Sequence, residues 1–317
     1  MPNYNGVWSL TTQYQYAADW SADNPIPVFG FFIGGADADA TTNIIDTVNI
    51  NSAGNATDYG DTSAVGERWA GAGSATRAVM GGNTGKATTI YYVTIPTAGT
   101  NATFGNLTES KEWMGALSNA TRAVFGGGSI SGDVSNVMEY ITIANTGNGT
   151  DFGDLSGGRY RLAGTSSSTR GLFAGGDNAT GNPEEDEIEY ITIGSTGNVT
   201  DFGNLTVARR YLSAASSGTR AIFAGGDPAS ASTSNVIDYV TIASAGNASD
   251  FGNLTTGAAA GAATSSPTRA VITIGEDKVD TIDFITIAST GNASDFGNLT
   301  VGRKQLTATS TSHGGLQ

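Results

Sequence analysis

The chain has no cysteine and one histidine, His313, in 317 residues. Without cysteine there is no disulfide framework and no thiolate metal site. A histidine-based triad or metal centre would need His313 or nothing. Charged residues are scarce at 14%, and the balance is acidic, with a net charge of −14. That excludes a sequence-independent grip on nucleic acid, which requires Lys and Arg to displace phosphate counterions. The same sign disfavours anionic membrane surfaces. No apolar run approaches the roughly 20 residues of a membrane-spanning helix, so no membrane insertion is expected. Residues 1–20 lack a basic start followed by an apolar core, so no secretory signal is expected there. Apolar residues nowhere recur at helical spacing over three turns, which leaves an all-β chain as the expectation.

What is present is repetition. Thr-Arg before a short apolar run recurs at Arg77, Arg122, Arg170, Arg220 and Arg269, at intervals of 45, 48, 50 and 49 residues. An aromatic-Gly pair recurs at Tyr59-Gly60, Phe104-Gly105, Phe152-Gly153, Phe202-Gly203, Phe251-Gly252 and Phe296-Gly297, giving six copies. A period in this range is that of a solenoid or propeller. Each copy holds four strand candidates. Around Arg220 they are 211–217, 221–224, 236–242 and 250–254, rich in β-branched and aromatic residues in the middle pair. Thr-Gly-Asn segments between the third and fourth strands are turn chemistry. The segment after each Gly-Gly drifts in length and composition.

Four antiparallel strands per copy predict a six-bladed β-propeller, with the first strand of each blade nearest the axis. Small residues such as Gly71, Gly164, Ala214 and Ala263 suit that crowded position. Residues 304–312 read as a first strand with no blade after it, and 28–35 as a second strand with none before it. The two are expected to share one blade and close the ring without open edges. Residues 28–317 are thus assigned to the propeller, and 1–27 to an N-terminal arm or attachment segment.

At the glycine doublet the repeat resembles kelch repeats: Phe223-Ala224-Gly225-Gly226, then Tyr239, then Phe251, with equivalents at Phe125–Gly128/Tyr140/Phe152 and Phe173–Gly176/Tyr190/Phe202. It departs from them in having Phe where Trp is usual and a long Thr-Gly-Asn insert, and the sixth copy keeps only Gly275. The fuller texture, Tyr-Ile-Thr-Ile with Asp-Phe-Gly-Asn-Leu and Thr-Arg, is similar to kelch-like proteins of tailed-bacteriophage virions. The stretch Gly6 to Gln15 is similar to one that precedes such repeats. The resemblance implies a non-enzymatic virion protein of the tail or outer surface, present in several copies. Its partners would be other virion proteins and a host surface glycan or protein. It implies no cofactor, no metal and no nucleic-acid partner. The copper oxidases built on kelch-type propellers need histidines and a cysteine that are absent. The alternatives are a lectin or glycosidase on the same scaffold, or a structural spacer.

The candidate residues follow from this frame. The five slot arginines recur too regularly for a unique active site, and are expected to pair with acids that also recur, at Asp46, Glu139, Glu189, Asp238 and Asp283 or at Asp58, Asp151, Asp201, Asp250 and Asp295. His313 is expected to clasp the shared blade. A partner site must use what differs between blades, which selects the loops between second and third strands: Asp177, Asn178, Glu184, Glu185, Asp186, Glu187 and Asp227. The acidic run 184–187 and Asp37-Ala38-Asp39 could also hold a hard cation such as calcium. In the arm, Trp8, Tyr14, Tyr16 and Trp20 form a second contact candidate, since Trp and Tyr are enriched in binding hot spots.

Overall fold

The apolar runs pair as antiparallel strands because each is bounded by glycine-rich turns and none is long enough to do otherwise. The computed structural model describes residues 27–38, 40–95, 101–178, 184–229, 233–275 and 278–312. They form six four-stranded sheets around one axis, a β-propeller, with no α-helix among the described residues. From the axis outward, the blade around Arg220 runs Ser213–Ser216, Arg220–Ala224, Ser234–Thr241 and Ser249–Ala258. The expected first strand from residue 211 is shortened, because Tyr211 has φ 56° and stands outside the ladder. A two-stranded ribbon, Ser129–Ile130 with Asp133–Val134, adds itself in the third blade's loop between second and third strands.

The shared blade forms as expected. Its innermost strand is Thr307–Ser310, paired with Phe29–Ile33 at Gly30↔Ser310, Phe31↔Thr309, Phe32↔Ala308 and Ile33↔Thr307. The Thr311 N–H donates to the Phe29 carbonyl at 2.9 Å. Ile44–Asn49 and Thr57–Asp61 complete the sheet.

The core lies between blades. Second strands are buried on both faces, so adjacent residues serve different seams. Leu172 packs with Phe223 and Val240 of the following blade. Its neighbour Phe173 packs with Val124 and Phe152 of the preceding one. Each such side chain contributes about 1.5–3 kcal/mol by leaving water.

The repeated sequence markers explain themselves at these seams. In the Phe202-Gly203-Asn204 copy, the Gly246 N–H of the next blade donates to the Phe202 carbonyl at 2.6 Å. The Asn204 N–H donates to Asn247 Oδ1 at 3.1 Å. Gly203 sits at φ 140°, its equivalents Gly60, Gly153, Gly252 and Gly297 lie between 136° and 144°, and a Cβ on Gly203 would stand 2.6 Å from the Gly246 carbonyl group. The aromatic-Gly-Asn of one blade and the Gly-Asn turn of the next are therefore two halves of one joint.

The slot arginines correct the expectation of carboxylate pairing. Arg122, Arg170 and Arg220 each donate through Nη1 to a backbone carbonyl of the next blade, Ile193, Ile242 and Ile287, all at 2.8 Å. Arg77 reaches Ile143 and Ala144, and Arg269 reaches Ile50 across the closure. Each guanidinium also lies over the aromatic ring of its own third strand, for Arg220 that of Tyr239 at 4.4 Å. A carbonyl at a strand end is a preorganised acceptor, and the ring supplies the second contact that a carboxylate would have supplied. We expect Arg220→Ala to cost about 1.5–3 kcal/mol, the worth of a charge-assisted hydrogen bond, in a denaturant unfolding experiment. A loss as large as that for Arg209→Ala, discussed below, would contradict the assignment.

Candidate functional site

The recurrent third-strand acids are held by different cations. Arg209 Nη2 lies 3.1 Å from Asp238, Lys111 Nζ 3.1 Å from Glu139 and Arg303 Nη2 2.7 Å from Asp46, with every side chain in these three pairs fully buried. Arg159 pairs with Glu189 in the same way. All four cations stand in the crossing from one blade to the next. The same acids accept from the residue after the preceding blade's leucine: the Thr206 N–H and hydroxyl donate to Asp238 at 3.0 and 2.7 Å. Burial pushes Arg159, Arg209 and Arg303 below the usual arginine range, against the pull of the acids.

Two blades depart from this rule. In the second, Tyr91 replaces the acid and Gly66 the cation, and the Trp69 ring lies against Gly66 and Tyr91. In the sixth, Asp283 remains but Ala258 occupies the cation position. Among the described residues Asp283 is bound only by Thr255, whose N–H and hydroxyl donate at 2.8 Å. Burial pushes its carboxyl above the ordinary range, opposed by the Thr255 hydrogen bonds.

Two residues beyond the cation, the chain reaches the axis. Arg68, Trp113, Arg161, Tyr211, Ala260 and Gln305, one per blade, all have left-handed φ between 54° and 67°. Their backbones form a closed ring of hydrogen bonds. The N–H of Arg68 donates to Gln305, Trp113 to Arg68, Arg161 to Trp113, Tyr211 to Arg161, Ala260 to Tyr211 and Gln305 to Ala260, over 2.7–3.3 Å. This collar satisfies backbone groups that the crowded axis would otherwise strand. Residues with a Cβ in this φ region carry strain, and six hydrogen bonds in a cycle hold them there.

The collar is uniform in backbone and varied in side chains. Trp113 and Tyr211 meet edge to face at 4.8 Å. The Arg161 guanidinium lies 4.6 Å from the Tyr211 ring and 4.3 Å from that of Tyr160, and the Arg68 guanidinium 5.1 Å from Trp113. Carboxylates from the loops behind hold the arginines. Asp177 accepts from Arg161 and Arg210 at 3.0 Å each, Asp227 lies 3.0 Å from Arg210, and Glu112 lies 3.3 Å from Arg68. Burial raises the Tyr160 and Tyr211 phenols, with Arg161 opposing it in both. Burial works against the charge of Arg210, but its bonds to Asp177 and Asp227 outweigh it and raise its pKa. The collar opens on a cavity of about 120 Å³, walled below by small residues including Gly71, Ala116, Gly164 and Ala214.

At its other end the channel is tied by serines. The hydroxyls of Ser118, Ser166, Ser216, Ser265 and Ser310 each donate to the neighbouring inner strand's carbonyl at 2.6–2.8 Å. The two ends therefore differ. One is a repetitive lattice of backbone and hydroxyl groups, and the other carries a different side chain from nearly every blade.

The sequence-selected loop residues divide. Asp177 and Asp227 come to the rim of the collar, and Glu184 stands 3.7 Å from Arg210. The rest face away from the axis. Asn178 Nδ2 donates to Glu185 at 2.7 Å, Asn204 Nδ2 to Asp186 at 2.9 Å, and Glu187 accepts from the Ser156 hydroxyl at 3.1 Å and lies 3.6 Å from Arg159. The acidic run is thus distributed over separate partners, and no three carboxylates converge as metal ligands among the described residues. Asp37 Oδ1 accepts from the Ala40 N–H; Asp39 lies outside the described residues. So do His313 and the arm residues Trp8, Tyr14, Tyr16 and Trp20. Asp58, Asp201 and Asp295 cap the N–H of the glycine two residues on.

Sequence reading missed the collar, although its signal is regular. Each collar residue stands eight positions after the glycine of the aromatic-Gly pair: Gly60 to Arg68, Gly105 to Trp113, Gly153 to Arg161, Gly203 to Tyr211, Gly252 to Ala260 and Gly297 to Gln305. The position repeats while the letter does not.

No family model and no curated protein matches the sequence. Among solved structures, the fold is similar to that of YjhT, with a TM-score of 0.65 over 78% of this chain and 88% of that one, at 9% sequence identity. At that identity the likeness shows the fold alone, which is the closed six-bladed propeller.

Proposed function

We propose that the chain is a non-enzymatic component of a tailed-phage virion, tail-associated or on the outer surface, whose propeller is a rigid platform for binding a host surface component or a neighbouring virion protein. The kelch-like repeat text and the Gly6 to Gln15 stretch support the virion setting. The observation that carries the binding role is the contrast between the two ends of the axis. Five ring positions repeat serine at one end, while the other end presents Arg68, Trp113, Arg161, Tyr211, Ala260 and Gln305 on a common backbone ring. A platform with no ligand has no reason to diversify one position per blade while every joint around it repeats. Recognition by a fixed scaffold uses its variable positions.

The non-enzymatic reading draws on the acids at this face. Glycoside hydrolysis needs two carboxylates disposed about a bond. Glu112, Asp177 and Asp227 are instead each engaged by an arginine of the rim. Mass spectrometry of purified particles, from cells in which the encoding genome is expressed, is the test. The chain should be recovered in several copies per particle. Abundant chain in the cell lysate with none in particles would overturn the virion assignment.

A further inference from the structure

We propose that the collar is a binding site for a single neutral six-membered sugar ring at the end of a glycan. This deepens the reading above and rests on it for the choice of face.

Four features point to that chemistry. The first is space. The cavity of about 120 Å³ at the mouth holds several waters' worth of volume, too small for a protein element and suited to one ring entering from the top. The second is the pair of half-buried aromatic rings, Trp113 and Tyr211, set 75° apart at 4.8 Å. Both line the cavity, and each carries a guanidinium over its ring, Arg68 on Trp113 at 5.1 Å and Arg161 on Tyr211 at 4.6 Å, so a sugar would meet aromatic surface with a fixed donor beside it. The third is the mixture of donors and acceptors within one rim. The guanidiniums of Arg68 and Arg161 donate, while Glu112, Asp177 and the Gln305 amide oxygen accept. A hydroxyl is both donor and acceptor, so vicinal hydroxyls match such a rim and a purely apolar or purely cationic ligand does not.

The fourth is charge. The rim arginines Arg68, Arg161 and Arg210 are already matched by Glu67, Glu112, Asp177, Glu184 and Asp227, five acids against three cations. An acidic ligand would have to displace a resident carboxylate from a bidentate or bridged contact, so a neutral sugar is favoured. The ring enters on the side of the sixth blade, where Ala260 gives a methyl group in the position that holds Trp113 and Tyr211 in two other blades.

The test uses the full chain and saturation-transfer NMR with glucose, galactose, mannose and N-acetylglucosamine, against glucuronic acid as the acidic counterpart. At least one neutral sugar should receive saturation, and more strongly than glucuronic acid. Ala260→Trp should abolish the effect by filling the space. That variant should fold, since tryptophan already occupies the same left-handed position at Trp113, with φ 61° against 54° at Ala260. Trp113→Ala should weaken binding at least about tenfold, which keeps the proposal testable if Ala260→Trp fails to fold. No transfer from any neutral sugar, a preference for glucuronic acid, or undiminished binding in Ala260→Trp or Trp113→Ala would overturn it. A chain that occurs in particles but binds no sugar ends this proposal alone. One that binds sugar but is missing from particles ends only the virion assignment.

Discussion

Arg209→Ala is expected to destabilise the fold by about 3–5 kcal/mol, the cost of leaving a buried charge without its partner. Asp238 is fully buried and its remaining partners are the Thr206 N–H and hydroxyl. The sixth blade supplies the natural control, because Ala258 stands there in the cation position and, among the described residues, Asp283 keeps only Thr255. Asp283→Asn should therefore be neutral or stabilising at neutral pH, whereas Asp238→Asn should weaken the fold by stranding Arg209. The pH dependence has a definite sign. The Asp283 carboxyl is raised in the folded state by burial. Its contribution to stability is full below the unfolded carboxylate range and is lost as pH rises through the raised folded value. Asp283→Asn should remove that loss, so its stability gain over the parent should grow from mildly acid to neutral pH. Urea unfolding of the three variants across that range checks this. An equal cost for Arg209→Ala and Asp283→Asn would show that the buried pairs play no part in holding the blades.

These pairs also show where sequence reading stops. Blade number, strand order and the shared blade were legible because the joints repeat as letters: an aromatic-Gly pair in every copy, and a second strand at 28–35 with its missing neighbour at 304–312. The partner of the slot arginine was not legible. A carboxylate and a strand-end carbonyl are both acceptors, and the carbonyl of Ile287 has no sequence signature. The cations that do meet the recurrent acids were hidden for another reason. Their position, six after the glycine of the aromatic-Gly pair, holds Lys111, Arg159, Arg209 and Arg303, but Gly66 and Ala258 in the other two copies. The collar is the extreme of this case. Its requirement is a backbone one, a left-handed residue closing a hydrogen-bonded ring, and it leaves the side chain free to differ. Among the loop candidates, Asp177 and Asp227 reach the rim because each follows a Gly-Gly doublet whose second glycine turns the chain toward the crossing. The Asp177 and Asp227 backbones then bridge to Tyr160 and Arg210. Glu185, Asp186 and Glu187 lead into or begin the third strand, which carries them away from the axis.

Closure through the shared blade underlies everything else, since the collar, the serine ring and the seam between Arg269 and Ile50 all require both termini to meet. It also gives the largest stabilisation expected here. Phe29 and Thr311 are opposed at the end of the closing ladder and joined by the Thr311 N–H to the Phe29 carbonyl. Opposed residues of an antiparallel pair stand about 5.5 Å apart at Cα, within the range a disulfide spans. The chain has no cysteine of its own, so Phe29→Cys with Thr311→Cys introduces one possible bond. Cross-linking so long a loop should stabilise the oxidised form over the reduced form by on the order of 5 kcal/mol through the unfolded state. Comparing the two redox forms of the same variant cancels the cost of the substitutions themselves. The decisive measurement is the state of those two thiols after oxidation of the dilute, folded variant. The closed ring predicts an intramolecular disulfide in nearly every chain, faster migration on a non-reducing gel and a raised melting temperature. Two free thiols, or disulfide-linked dimers in place of the monomer, would contradict it.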